Sequence, residues 1–175
     1  MKWTVHGERS LYESPWVTLA VADVELPGGE RFEHHLVRLP EPAASCVIED
    51  PARGILLLWR HRFITDTWSW EVPAGRVDPG EEPVAAAARE ALEETGWRPE
   101  GPLEPLGSWF PTNGLCDQAF HAFKARGAVH LGDPVDAHES ERVEWVPVDE
   151  VRGHIAEGRV LDGFSLTSLL LALAQ

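Results

Sequence analysis

The sequence predicts an α+β chain in which a mixed β-sheet lies between helices. Three observations carry that expectation. Short apolar runs bounded by proline and glycine turns lie on both sides of residues 75–97. One helical pattern of about thirteen residues sits in their midst, and an apolar helical segment ends the sequence. With 175 residues, 43% of them apolar and 25% charged, there is material for one domain with a sizeable core.

Taken in order, residues 1–40 read as a pair of strands: 16–26, the turn Pro27-Gly28-Gly29, then 31–39. His34 and His35 are neighbours on a strand, so they face opposite sides and do not chelate one ion together. Trp3 and Trp16 pack either on the domain or on a second subunit. Residues 43–49 and 54–60 are the next strands, around an Asp50-Pro51 turn, and the second leads into Arg60, His61 and Arg62. The stretch 68–75 then runs directly into the central helix.

In that helix Pro83 fits the first turn, where its missing N–H would have no partner anyway. Val84, Ala87, Ala88, Ala91, Leu92 and Thr95 form one apolar stripe, and Gly96 is the expected left-handed stop. Its alanines allow close packing on a sheet. Later strands are expected at 103–110, 118–125 and 142–148, a short helix at 148–157, and a last helix at 165–174 capped by Ser165.

Composition excludes several classes. A formal net charge of −14, with no Lys/Arg-rich run, argues against binding long nucleic acid. It permits a small anionic substrate, provided that metal and a few arginines neutralise it locally. No apolar run spans a bilayer and the N-terminus lacks a signal-type apolar region, which predicts a cytoplasmic protein. Cys46 and Cys116 have neither CxxC nor metal-ligand spacing and read as buried free thiols.

The polar side of the central helix carries Arg89, Glu90, Glu93 and Glu94. At spacings of three and four, the three carboxylates project from adjacent positions and repel unless a cation sits among them. A hard divalent ion with oxygen ligands, Mg²⁺ or Mn²⁺, is the natural partner. Arg89, one turn before Glu93, can hold one carboxylate in place.

The whole window reads Gly75, Glu81, Arg89, Glu90, Ala91, Glu93, Glu94, Gly96, Trp97. Its spacing, G-x5-E-x7-R-E-U-x-E-E-x-G-U with U a bulky apolar residue, resembles the signature of the Nudix hydrolases. Ala91 is smaller and Trp97 larger than usual. The resemblance implies the Nudix fold: an α/β/α sandwich with a mixed β-sheet, here a hydrolase domain at 41–175 with an N-terminal strand extension at 1–40. From Trp16 to Ala125 the chain looks like the ADP-ribose (ADP-sugar) pyrophosphatase branch. Glu71-Val72-Pro73-Ala74-Gly75 matches that branch's lead-in, and Pro111 matches a proline in a loop after the motif. Asn113 and Gln118 stand where the branch usually has a second proline and a glutamate, which leaves the exact substrate open.

What the resemblance implies about residues follows. Glu90 and Glu94 are the primary metal ligands, with Glu93 a third ligand or a carboxylate oriented by Arg89. The Ala74 carbonyl can complete the shell. Glu81 either approaches the metal or only supports the start of the helix. The general base comes from the loop 136–141. Spacing back from Trp145 favours Glu139, with Glu141 the runner-up and a helix glutamate the remaining alternative; His138 is weaker. Arg62 and Arg60 either contact phosphate oxygens or are ordinary strand-end arginines. Glu71, Pro111 and Trp70 complete the substrate set; Trp68 and Trp70, two apart on a strand, face one side and either stack a base or meet a second subunit. A homodimer through the N-terminal strands is implied.

The expected activity is Mg²⁺-dependent hydrolysis of ADP-ribose or an ADP-sugar to AMP and a sugar phosphate. A Nudix pyrophosphatase acting on a nucleoside triphosphate, dinucleotide or coenzyme is the alternative. A non-catalytic nucleotide sensor is a third reading, against which the intact Arg89, Glu90, Glu93 and Glu94 argue.

Overall fold

Residues 1–42 and 110–119 form one compact unit of the chain, and residues 43–109 and 120–175 form a second. The first holds an antiparallel sheet of β1 (Thr4–Glu13), β2 (Thr18–Glu25) and β3 (Arg31–Arg38), in that order. The sequence pattern predicts two strands here; the structure adds β1. Its sequence TVHGERSLYE has no alternating apolar face, and every residue is exposed. Backbone pairing rather than burial holds it, with register shifts between Val5/Gly7 and Ser10/Tyr12. A His6–Glu25 hydrogen bond (2.6 Å) and an Arg9–Glu33 ion pair (3.0 Å) add cross-strand side-chain contacts.

The computed structural model describes residues 1–135 and 138–175. Asp136 and Ala137, at the start of the loop expected to carry the base, lie outside the described residues.

In the second unit, β4 (Ala43–Asp50) and β5 (Gly54–Arg62) are buried on both faces, as their continuous apolar runs require. β6 (Thr67–Glu71) pairs with β5, and β7 (Ala74–Arg76) with β4. Helix α1 (Pro83–Thr95) follows, then β8 (Trp97–Pro99), β9 (Glu104–Trp109), β10 (Phe120–Arg126), β11 (Ala128–His130) and β12 (Arg142–Val146). The main path is β12-β5-β4-β10-β9; β10 runs parallel to β4 and the other pairs are antiparallel, which makes the sheet mixed. The sequence pattern does not predict the short pair β8–β11, which is three residues long on each side.

Two cores flank the sheet, split by side-chain alternation. Ala44, Cys46, Ile48 and Leu56 meet Ala86, Ala87 and Ala91 of α1. On the opposite side Val47, Ile55, Leu57, Trp70 and Val72 meet Val151 of α2 (Val148–Ala156) and Leu169 and Ala172 of α3 (Gly163–Leu173). This is the expected α/β/α sandwich. Two details differ. α3 begins at Gly163, and its cap is Asp162, whose carboxylate accepts the Ser165 N–H at 2.7 Å; Ser165 is inside the first turn. The buried stripe of α1 is Ala86, Ala87, Ala91, Glu94 and Thr95, so it is rotated toward Glu94 and leaves Val84 exposed. Cys46 is buried, which pushes its thiol up to about 12, and Cys116 is half-buried. Among the described residues no helix is long and apolar enough to cross a membrane.

Candidate active site

The site is built where α1 lies over the ends of β5 and β7. Gly96 closes the helix in the left-handed region (φ 73°), its N–H donating to the Leu92 carbonyl at 2.8 Å. Helical spacing then sets Glu90, Glu93 and Glu94 on adjacent rows.

Arg89 organises that face with all five of its N–H groups. Nε and Nη2 donate to Glu81 at 3.1 and 2.9 Å, Nη1 to Glu90 and Glu93 at 2.8 and 2.9 Å, and Nη2 also to the Arg76 carbonyl at 3.0 Å. Glu81 further accepts the Asp78 N–H at 3.1 Å. Arg89 therefore binds three carboxylates rather than one, and Glu81 ties the turn before the helix to it. The Arg89 hydrogen bonds hold the Glu81 carboxyl below its usual range. Gly75 leaves room for the Glu90 carboxyl group: a Cβ there would lie well inside contact distance of its atoms, so the carboxylate would have to move.

Glu94 is 3% exposed and forms an ion pair with Arg60, also 3% exposed, at 2.7 Å. Its second oxygen accepts the Ala74 N–H at 2.9 Å, so Ala74 meets the helix through its amide. Arg60 also donates from Nε and Nη2 to Ser140 Oγ at 3.2 and 3.0 Å, and Glu139 Oε2 lies 3.8 Å from Nη2. Burial pushes the Glu94 carboxyl up to about 7, against the pull of Arg60. Burial also raises Glu90, more than Arg89 lowers it.

A cleft of about 790 Å³ opens beside this cluster. Arg60, Arg62, Glu71, His138 and Glu139 line it, together with the exposed hairpin residues Phe63 and Ile64. Arg62, 51% exposed, is gripped by the buried Glu71 carboxylate through Nε (3.2 and 3.1 Å) and Nη2 (2.6 Å). Glu71 thus orients an arginine rather than standing free. Glu141 is exposed and does not line the cleft. Pro111 is exposed on the 110–119 segment of the first unit.

Trp70 requires a correction. Trp68 and Trp70 do share a face, but adjacent residues on a strand point opposite ways, and Glu71 and Ser69 are the ones that line the cleft. Trp70 is buried in the core, stacked on His154 at 5.4 Å and packed on Trp59 at 5.2 Å, with no open face for a base. Trp68 lies on Trp59 at 5.9 Å. Ser140 is the residue that sequence reasoning missed. It was visible only as one more polar residue of a loop, and nothing local signals that an arginine 80 positions earlier reaches it.

The donor set suits a hard divalent cation: carboxylates on one helix face, two of them disfavoured as anions by burial, one cradled by a glycine. As the side chains stand, Arg60 and Arg89 hold those carboxylates, and among the described residues no three His, Cys, Asp or Glu side chains are arranged to hold a metal ion.

Residues 39–164 match the NUDIX domain, and residues 3–37 match the nucleoside diphosphate sugar hydrolase N-terminal domain. The chain is 43% identical over 173 residues to the CMP-5'-(N-acetyl-N-hydroxy-3-aminopropyl)phosphonate hydrolase of Streptomyces rubellomurinus (strain ATCC 31215), covering 99% of this chain and 83% of that one. It is 29% identical to the ADP-ribose pyrophosphatase of Bacillus subtilis (strain 168), over 81% of this chain and 76% of that protein. A crystal structure of an ADP compounds hydrolase matches with a TM-score of 0.85 at 19% identity, covering 99% of this chain and 94% of that one, a likeness of fold. With the Gly75–Trp97 motif inside a matched domain that spans most of its length, the chain belongs to the Nudix hydrolases.

Proposed function

We propose that this enzyme hydrolyses the phosphoanhydride of ADP-ribose or an ADP-sugar, releasing AMP and a sugar phosphate, with Mg²⁺, or Mn²⁺ in its place, held by Glu90 and Glu94. The observation that carries the reading is the junction of an acidic helix face with an arginine-lined cleft through the Arg60–Glu94 pair. The match of residues 3–37 to a nucleoside diphosphate sugar hydrolase segment supports the sugar.

Nudix hydrolases generally use divalent metal ions. Held by Glu90 and Glu94, such an ion would neutralise charge on the anhydride and would make bound water more acidic. The chain's own residues do the rest. Arg62, fixed by Glu71, presents its free edge to a phosphate oxygen. Glu139 on the cleft wall takes the proton as water oxygen bonds to phosphorus and the bridging P–O bond breaks; Glu141 and the helix glutamates are its competitors for that role. Glu93 and Arg89 hold the carboxylate array in register. Exposed Trp3, Val5, Leu11, Tyr12 and Trp16 of the first unit fit a homodimer contact.

A second reading is the same cleavage of a nucleoside monophosphate joined to a phosphonate, favoured by the 43% identity to a CMP-phosphonate hydrolase. Product analysis decides between them: ADP-ribose, ADP-sugars, CMP-linked phosphonates, nucleoside triphosphates and dinucleotides, each with Mg²⁺ and with EDTA. AMP release from ADP-ribose well above the rest supports the first reading. CMP release from the phosphonate above the rest replaces it with the second.

A further inference from the structure

Arg60 and Arg62 sit two apart on β5, yet they are not equivalent. Arg62 is half exposed on the cleft, whereas Arg60 is buried at the cleft wall, its Nε and Nη2 donating to Glu94 and Ser140. This engagement of two of the three guanidinium nitrogens weighs toward Glu94 rather than a substrate phosphate. It does have a consequence for a metal. Of the two Glu94 oxygens one takes the Ala74 N–H and the other takes Arg60, so a cation that uses Glu94 as a ligand meets a cation already there. The same guanidinium holds the loop residue next to Glu139.

We propose that Arg60 is the resident counter-cation of Glu94: it competes with the divalent ion for that carboxylate, sets the affinity for metal, and through Ser140 couples metal loading to the position of Glu139. This rests on Glu94 being a metal ligand, as proposed above. Arg60 is thereby a positioning residue rather than a phosphate contact. Two charges of one sign near one carboxylate oppose each other strongly where water is excluded, so the competition is felt as a large change in affinity.

The test is Mn²⁺ binding to the full chain without substrate, followed by calorimetry and by the spin-resonance signal of free Mn²⁺. R60Q is expected to bind Mn²⁺ about tenfold more tightly or better than the wild type. An unchanged or weaker affinity overturns the proposal. Because R60Q leaves Glu94 without its partner, R60K serves as the variant that keeps a buried charge; its affinity should lie between the two, and a value at or below that of the wild type overturns the proposal. S140A should lower kcat at saturating Mn²⁺ while keeping the KM; an unchanged kcat removes the coupling to Glu139. A rise in KM for R60Q with unchanged Mn²⁺ affinity would instead make Arg60 a substrate contact. E94Q separates the underlying reading: if it binds Mn²⁺ as the wild type does, Glu94 is not a ligand, whatever R60Q shows.

Discussion

Arg89 uses every N–H that it has, and on five separate acceptors no ammonium could reproduce the arrangement. R89K should therefore lower kcat at saturating substrate by a factor on the order of 10² while retaining circular dichroism typical of the fold, since Glu81, Glu90 and Glu93 lose their common partner. E94Q is expected to remove most turnover, because it deletes a ligand charge; near-wild-type turnover in saturating Mg²⁺ would show the assignment to be wrong. E139Q should cost about 10² or more in kcat if Glu139 is the base. Should E141Q do the damage instead, the role moves two residues along the loop. His154 gives a stability test. Its ring is stacked on Trp70, its Nδ1 is buried without a hydrogen-bond partner among the described residues, and burial lowers its pKa. The unfolded chain thus binds the proton more readily, so stability falls as pH drops below about 6.5 toward the folded value. Urea midpoints at pH 5 and 7.5 should differ less in H154F than in the wild type.

At the scale of elements, α1 shows what periodicity can and cannot say. Its span, its proline start and its Gly96 stop were legible, because each answers to a local rule. The direction of its buried face was not, since small side chains let β4 pull the helix until Glu94 is inside. The cap of α3 moved from Ser165 to Asp162 for a related reason: both residues are good caps, and only tertiary packing selects the turn that is used. The unpredicted β1 has no apolar face to announce it. Gly75 is the middle residue of β7 and lies against the Glu90 carboxyl, and G75A should displace that carboxylate, weakening Mn²⁺ binding while leaving the melting temperature within a few degrees of the wild type. Unchanged Mn²⁺ affinity in G75A would show that the room beside Glu90 does not serve the metal.

For the molecule as a whole, the family and the acidic helix face were readable from one window of sequence, because the motif keeps a fixed spacing on one helix. What was not readable were the partners that come from far along the chain: Arg60 to Glu94, Arg60 to Ser140, and the burial that removes Trp70 from the cleft. An excess of carboxylates, net −14, makes the few guanidiniums at the site its local counterweight. A ligand that binds only the folded state raises its stability in proportion to the logarithm of concentration, so the melting temperature should climb with Mn²⁺ in the wild type and stay flat in E94Q.

The Arg60 side chain joins segments that are 34 and 80 residues apart in sequence. Contacts of that separation close slowly, because chain entropy must be lost before they form. After dilution from denaturant, far-ultraviolet ellipticity should accordingly return before the capacity to bind Mn²⁺. The chain would then pass through an interval in which it is built but not yet armed, and any cellular quality control that samples exposed surface alone would not notice the difference.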